Sequence, residues 1–385
     1  MAVDIDSLPL ETPAFIYDEG AIARSLSKLR GIADKTGCKI LYSLKAFSMV
    51  DALRLMGPSL DGFAASSLFE AELARSVIST KSGTLHFTTP GLKSDELSRI
   101  AELCDYITFN SLTQWEAFHE RMGQRLSCGL RVNPQLSYID DDRYDPCRPN
   151  SKLGIPLPLL VEWIREFTNQ FNELKGLHFH TNCESMSLQP LFETVSSVVS
   201  QLGFALNKLD WINLGGGYLY SEAESLQPLY RAVEVLIKNY DLDVFLEPGE
   251  DIVGAAGSVT SSVIDLFDSG DKQIAVMDTT VNHLPGVFAY GSKPCVKSAK
   301  RDGTHRYLLA GCTCLAGDIL GEYSFDHPLK IGSRIRFERV GGYSLVKANM
   351  FNGVNLPNIY SLSDNKLILK KRYTLQDFLS RWESV

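Results

Sequence analysis

Three observations predict an α/β protein, a (β/α)8 TIM barrel followed by a mainly antiparallel, β-barrel-like C-terminal domain. The chain has 385 residues, more than one small core usually organises, so a barrel with an appended domain is expected. From Lys39 onward, eight short β-prone runs alternate with segments whose apolar residues recur three and four positions apart. After about Ala255 the helical spacing fades, and strand-like runs separated by Gly, Asp, Asn and Ser take over.

The elements justify this in order. "AFIYD" is an early strand that falls outside the barrel count and is expected to join the second domain. The barrel runs are "KILYS", "GFAAS", "LHFTT", "YITFN", "GLRVN", "GLHFH", "WINLG" and "VFLEP". Between them lie amphipathic stretches such as "SLFEAELARSVI", "SDELSRIAELC", "LTQWEAFHERM", "PLLVEWIREF" and "PLYRAVEVLIKNY". Eight strands each followed by a helix, over a span of roughly 210 residues, suit a closed barrel better than an open doubly wound sheet. Beyond it, "SVTSSVIDLF", "QIAVMD", "RYLLAG", "RIRFERV", "YSLVKA" and "KLILKK" read as strands, with little helix until "LQDFLSRW". The expected division is residues 20–255 for the barrel and 256–385, with 1–19, for the β domain.

Composition narrows the function classes. A net charge of -8 argues against nucleic acid, because phosphate binding needs concentrated Lys and Arg. It suits a small cationic substrate. No apolar run approaches the ~20 residues of a membrane helix, and "MAVDIDSLPLETPAF" lacks the basic and apolar regions of a signal peptide. The eight cysteines are scattered apart from Cys312 and Cys314, and read as reduced thiols with no metal site. A cytoplasmic protein is expected.

In a barrel the strand ends converge on one mouth, where such folds place their sites. Lys45 follows the first run, Arg131 and Asn133 end the fifth, and His180 ends the sixth. Gly215, Gly216 and Gly217 follow the seventh, and "EPGE", Glu247 to Glu250, follows the eighth. Taken singly, each has an ordinary reading: a solvated lysine, a core histidine, a turn glycine, a turn acid. Together they suit pyridoxal phosphate. A buried lysine of lowered pKa can hold the aldehyde as an imine. Glycine amides at a helix start can hold the phosphate. An imidazole can cover the ring, and a carboxylate can keep its nitrogen protonated.

The chain resembles the fold type III pyridoxal-phosphate decarboxylases, the alanine-racemase-like group that includes ornithine, arginine and diaminopimelate decarboxylases. The likeness runs through "TPAFIYD", "YSLKAF", "LRVNP", "SKLGI", "LHFHTNCE", "NLGGGY", "LEPGE", "GCTCLAGD" and "GYSLVKANMFNG". Within the group it is most similar to the carboxynorspermidine/carboxyspermidine decarboxylase subfamily, through "GFA" with Ala64, "HTNCE" and "EPGE" with Glu250. The resemblance implies that Lys45 carries the cofactor, His180 stacks on its ring and Glu247 pairs with the pyridine nitrogen. It implies that Arg131, Gly215, Gly216, Gly217, Gly249 and Tyr343 also bind the cofactor. Asn182, Glu184, Glu250, Asp278, His283 and Asp318 are implied to contact a cationic carboxylated polyamine. Cys314 and Asp318 would serve the partner's site in a head-to-tail homodimer, with Cys314 as the proton donor. The implied activity is decarboxylation to norspermidine or spermidine in polyamine biosynthesis.

One segment departs from the subfamily. Where an acid and a histidine are usual, the sequence reads "MDTTVNHLPGVF", a residue shorter, with Asn282 where charge is expected. The end-group preference is therefore open, and carboxyaminopropylagmatine, with a distal guanidinium, is the alternative substrate. An amino-acid racemase would need a second base where "GCTC" stands, and a non-catalytic pyridoxal-phosphate carrier would lack the β domain. Both rank below a decarboxylase.

Overall fold

The structure, a computed structural model, describes residues 8–78, 83–122 and 126–384; the start of the "MAVDIDSLPLETPAF" segment lies outside them. The chain divides into two compact units, Ala23–Asp251 and Ile252–Val385, the latter together with the N-terminal segment through Ile22.

After the opening strand β1 (Ala14–Asp18), the first unit is a closed parallel barrel. Its strands are β2 (Lys39–Ser43), β3 (Gly62–Ala65), β4 (Thr84–Thr88), β5 (Tyr106–Phe109) and β6 (Ser127–Asn133). A two-residue strand β7 (Ile155–Pro156) sits on β6, and β8 (Gly176–His178), β9 (Trp211–Asn213) and β10 (Asp243–Leu246) complete the ring. Pairing runs β5-β4-β3-β2-β10-β9-β8-β6, and β5 then pairs with β6 to close eight strands. The strands are buried almost without interruption, as helix-covered parallel strands must be. Helix Leu68–Val77 starts where Ser67 Oγ accepts from Glu70 N–H and the Glu70 carboxylate reaches back to Ser66 N–H at 2.7 Å. Helix Gln227–Tyr240 buries Leu229, Ala232, Val233 and Leu236, and ends at Asp241 in the left-handed region (φ 56°).

Side chains fill the barrel at the amino ends of its strands. His86 stacks on Tyr106 with ring centroids 4.0 Å apart, Tyr106 meets Trp211 edge-on at 5.6 Å, and Phe245 packs against both. Gly176 is required here, because a Cβ would collide with the Trp211 indole. This floor leaves the carboxyl ends of the strands to form the site.

The second unit is a branched sheet of nine strands. The long strand β11 (Gly257–Ser269) pairs antiparallel with β1, with β12 (Lys272–Met277) and with β16 (Arg334–Glu338). Strand β13 (Cys295–Val296) pairs with β16. Strand β14 (His305–Ala310) lies parallel to β12 and antiparallel to β15 (Ile319–Phe325). On the other flank β1 is parallel to β17 (Asn358–Ser363), which turns back into β18 (Lys366–Lys371). Thus "AFIYD" lies inside this sheet, between β11 and β17. The expected strand "YSLVKA" is instead a single 3-10 turn, Leu345–Lys347. Tyr343, at φ 56°, sits in the left-handed region, which cannot continue a pleated ladder. Sequence patterning also passed over β15, β17 and a short helix at Pro285–Tyr290.

Candidate active site

A cavity of about 390 Å³ opens at the carboxyl ends of the barrel strands, and Lys45, Arg131, His180 and Glu247 all line it. Local chain geometry delivers each one. Strand β2 stops at Ser43 and tightens into a 3-10 turn, Leu44–Ala46, that anchors itself with buried Leu44 and Ala46 and projects Lys45 between them. Lys45 is exposed to the cavity's solvent yet ringed by protein. That enclosure lowers its pKa; Glu247 opposes the shift and Arg131 adds to it. A lysine so placed carries a larger neutral, nucleophilic fraction than a surface lysine.

Glu247 directly follows β10 and is buried. Burial alone would raise its pKa, but His178, Lys45 and Asn213 outweigh it, and the carboxyl lies well below the usual range. Asn213 Nδ2 donates to Glu247 Oε1 at 2.7 Å, and His178 Nε2 stands 3.7 Å from Oε2. One carboxylate oxygen is thus held while the other faces a histidine whose two ring nitrogens find no hydrogen-bond partner among the described residues. Burial lowers the pKa of His178, so this pair is an ionised acid beside a neutral ring. Arg131, also buried, is lowered to about 10 by desolvation against the pull of Glu247, and remains a cation at neutral pH.

His180 is fixed by the glycine triplet. Gly216 N–H donates to His180 Nδ1 at 3.1 Å, so Nδ1 is unprotonated and the neutral ring carries its hydrogen on Nε2. Burial, with Lys45 and Arg131 nearby, holds its pKa well below the usual value. Asn213 Oδ1 accepts from Gly215 N–H at 2.9 Å, and Glu247 N–H donates to the Gly215 carbonyl at 2.8 Å. The triplet has no room for side chains: a Cβ on Gly216 would strike the Glu247 carbonyl, and one on Gly217 (φ 87°) the Asn182 carbonyl. A Cβ on Gly249 would stand 3.0 Å from Ala46 Cβ, beside Lys45.

The remaining expected residues are distributed as follows. Asn182 is buried, with its side-chain oxygen on Cys183 N–H; Glu184 is exposed in the left-handed region (φ 52°); Glu250 opens the short helix Glu250–Val253. Cys314, Asp318, Asp278, His283 and Tyr343 belong to the second unit. There Asp318 accepts from Val281 N–H (2.8 Å), Thr313 N–H (3.0 Å) and Thr313 Oγ (2.5 Å), which orders the loop carrying exposed Cys314. Asp278 accepts from Ser261 Oγ, Ser262 N–H and Thr12 Oγ1. His283 is buried against Thr279, and burial lowers its pKa to about 4.

Three features of the cavity were not anticipated. His178 faces Glu247 because alternate residues of a strand share a side, a pattern visible in "LHFH". Asn213 ties Glu247 to Gly215 and had no sequence signal beyond its strand-end position. The loop from Asp142 to Leu153 supplies much of the outer wall, including Arg148 and Lys152.

The donor set fits pyridoxal phosphate. An enclosed amine is available for its aldehyde, a fixed imidazole for its ring, an ionised carboxylate with one unclaimed oxygen for its nitrogen, and the turn at Gly217 for its phosphate, the Gly215 and Gly216 N–H groups being engaged by Asn213 and His180. Barrel and site together define a fold type III pyridoxal-phosphate enzyme. The family described as pyridoxal-dependent decarboxylase, pyridoxal binding domain, matches residues 20–254, and the chain belongs to it. It is a decarboxylase, a carboxy-lyase with pyridoxal phosphate as cofactor.

Particular relatives span its whole length. The carboxynorspermidine/carboxyspermidine decarboxylase of Campylobacter jejuni is 32% identical, covering 97% of this chain and 98% of that protein. The carboxyaminopropylagmatine decarboxylase of Synechocystis is 31% identical, covering 98% and 96%. Among solved structures, the Campylobacter jejuni carboxynorspermidine decarboxylase complexed with norspermidine superposes with a TM-score of 0.87 at 32% identity, over 97% of this chain and 100% of that one.

Proposed function

We propose that this enzyme decarboxylates a carboxylated polyamine, carboxynorspermidine or carboxyspermidine, to give norspermidine or spermidine in polyamine biosynthesis. The observation that carries the reading is the full-length likeness, at about one residue in three, to enzymes of that name, joined to a cavity where Lys45, His180 and Glu247 converge. Carboxyaminopropylagmatine is the second reading, supported by the Synechocystis relative at 31% identity.

The cofactor, when bound, supplies the electron sink that lets the α-carboxylate leave as carbon dioxide. Lys45 would hold it through the side-chain amine. Glu247, kept ionised, holds a proton on the pyridine nitrogen, while His180, pinned through Gly216, keeps the ring plane. Arg131 supplies a fixed cation, and Gly215, Gly216, Gly217, Gly249 and Tyr343 are assigned to the phosphate side. Cys314 of the partner subunit is assigned to protonate the carbon left by carbon dioxide, which makes the working unit a homodimer. Asn182, Glu184, Glu250, Asp278, His283 and Asp318 are assigned to the substrate's amines, because a desolvated ammonium needs a carboxylate or an equivalent acceptor. Asp318 retains a lone pair for this after its three internal bonds. The buried cysteines Cys38, Cys104, Cys128 and Cys147 are thiols outside any disulfide, which supports a reducing, cytoplasmic setting.

The test is carbon dioxide release from purified protein offered carboxynorspermidine, carboxyspermidine, carboxyaminopropylagmatine, ornithine and diaminopimelate. Turnover of the first two is expected. Preference for the third would select the second reading, and turnover of ornithine alone would overturn both. Lys45→Ala should abolish both this activity and the cofactor's visible absorbance at the protein.

A further inference from the structure

The loops Gly215–Ser221 and Glu247–Asp251 carry the glycine triplet and the ring-nitrogen acid, and they are cross-tied at both ends. At the near end Glu247 N–H donates to the Gly215 carbonyl at 2.8 Å. At the far end Asp251 Oδ1 accepts from Ser221 N–H at 3.0 Å and from Ser221 Oγ at 2.7 Å, and Oδ2 lies 3.3 Å from the same N–H. Gly216, Gly217, Pro248 and Gly249 lie between the two ties. We infer that Asp251 is a positioning residue for cofactor binding: through Ser221 it sets the spacing of the two loops that hold the phosphate and the ring nitrogen.

The bond is a built feature. Asp251 is 5% exposed, and burial raises its carboxyl to about 6, with Glu222 adding to the shift. Lys28, a cation that lowers it, has its ammonium on the Ser221 carbonyl at 3.0 Å. Tyr220, buried beside it, has a hydroxyl with no hydrogen-bond partner among the described residues. An acid held there without a direct ion pair among the described residues costs folding stability, so its return is positional: two donors from one residue are gathered at a single oxygen. Both of those bonds end on Oδ1, so an asparagine can reproduce them and an alanine cannot.

The inference rests on pyridoxal phosphate as cofactor but on no particular substrate. The test is a fluorescence titration of cofactor-free Asp251→Ala, Asp251→Asn, Ser221→Ala and wild-type enzyme with pyridoxal phosphate, together with kcat at saturating cofactor. Asp251→Ala should raise the cofactor Kd at least tenfold and Ser221→Ala about threefold, while Asp251→Asn stays within twofold of wild type. The rise in Kd should exceed any fall in kcat at full occupancy, and the near wild-type Kd of Asp251→Asn beside the loss in Asp251→Ala separates loop placement from general loss of structure. Wild-type Kd in a folded Asp251→Ala would overturn the inference. If that variant does not fold, wild-type Kd in Ser221→Ala or a tenfold loss in Asp251→Asn overturns it. Failure of the wild type itself to bind would overturn the cofactor assignment instead.

Discussion

Charge placement decides the chemistry at the scale of single residues. Glu247 is useful because it stays ionised in a buried place, where desolvation alone would neutralise it. Glu247→Gln keeps the shape and the Asn213 contact but removes the charge. It should lower kcat by about 10²–10³ while the bound cofactor remains visible by absorbance; an unchanged kcat would remove Glu247 from the ring-nitrogen role. Asp251 shows the opposite behaviour, a carboxyl raised to about 6 from an ordinary 3.8. Its ionisation therefore opposes folding above about pH 6, and the opposition is relieved as pH falls through that value. The difference amounts to at most roughly 3 kcal/mol. In urea unfolding, wild type should gain stability relative to Asp251→Asn between pH 7.5 and 5.5, and parallel curves would contradict the shift. His178 is the residue that sequence reasoning should have flagged. The strand alternation in "LHFH" puts it on the side of His180, but a lone histidine on a buried strand is indistinguishable from core until its carboxylate neighbour is seen.

Loops at strand ends carry the site at the scale of elements, and the strands were far more legible than the loops. Eight β-prone runs became eight barrel strands because parallel strands buried on both faces leave an unmistakable apolar record. The glycine triplet was legible as a special turn, although its partners were not: neither the Asn182 carbonyl against Gly217 nor Asn213 beneath Gly215 follows from spacing. Gly217→Ala would place a methyl against that carbonyl in a left-handed backbone, at a cost of about 1–3 kcal/mol. Cofactor affinity should fall with it, and a variant with wild-type melting and wild-type Kd would show that the loop can relax. In the second unit the pattern failed where backbone sign decides. "YSLVKA" has strand-like composition, and the left-handed Tyr343 breaks it into a turn.

The proposed homodimer, with Cys314 crossing to the partner, makes a subunit-mixing prediction for the whole molecule. Lys45→Ala and Cys314→Ala homodimers should each be nearly inactive. Equal mixing and re-association should restore about a quarter of the wild-type rate, since half the dimers are hybrids and each hybrid has one intact site. No recovery, with exchange verified by mass, would confine each site to one chain. Composition alone was a poor guide at this scale. A net charge of -8 is compatible with cationic substrates, but the acids that would meet them are scattered, and Asp278 and Asp318 serve their own loops first.

The packed aromatic floor at His86, Tyr106, Trp211 and Phe245 blocks the amino end of the barrel, so the cavity is reached from the carboxyl ends of the strands. Arg148 and Lys152 stand on the outer wall of that opening. A product formed there must back out before the next molecule can advance, so product added at high concentration should compete with substrate for the same threshold.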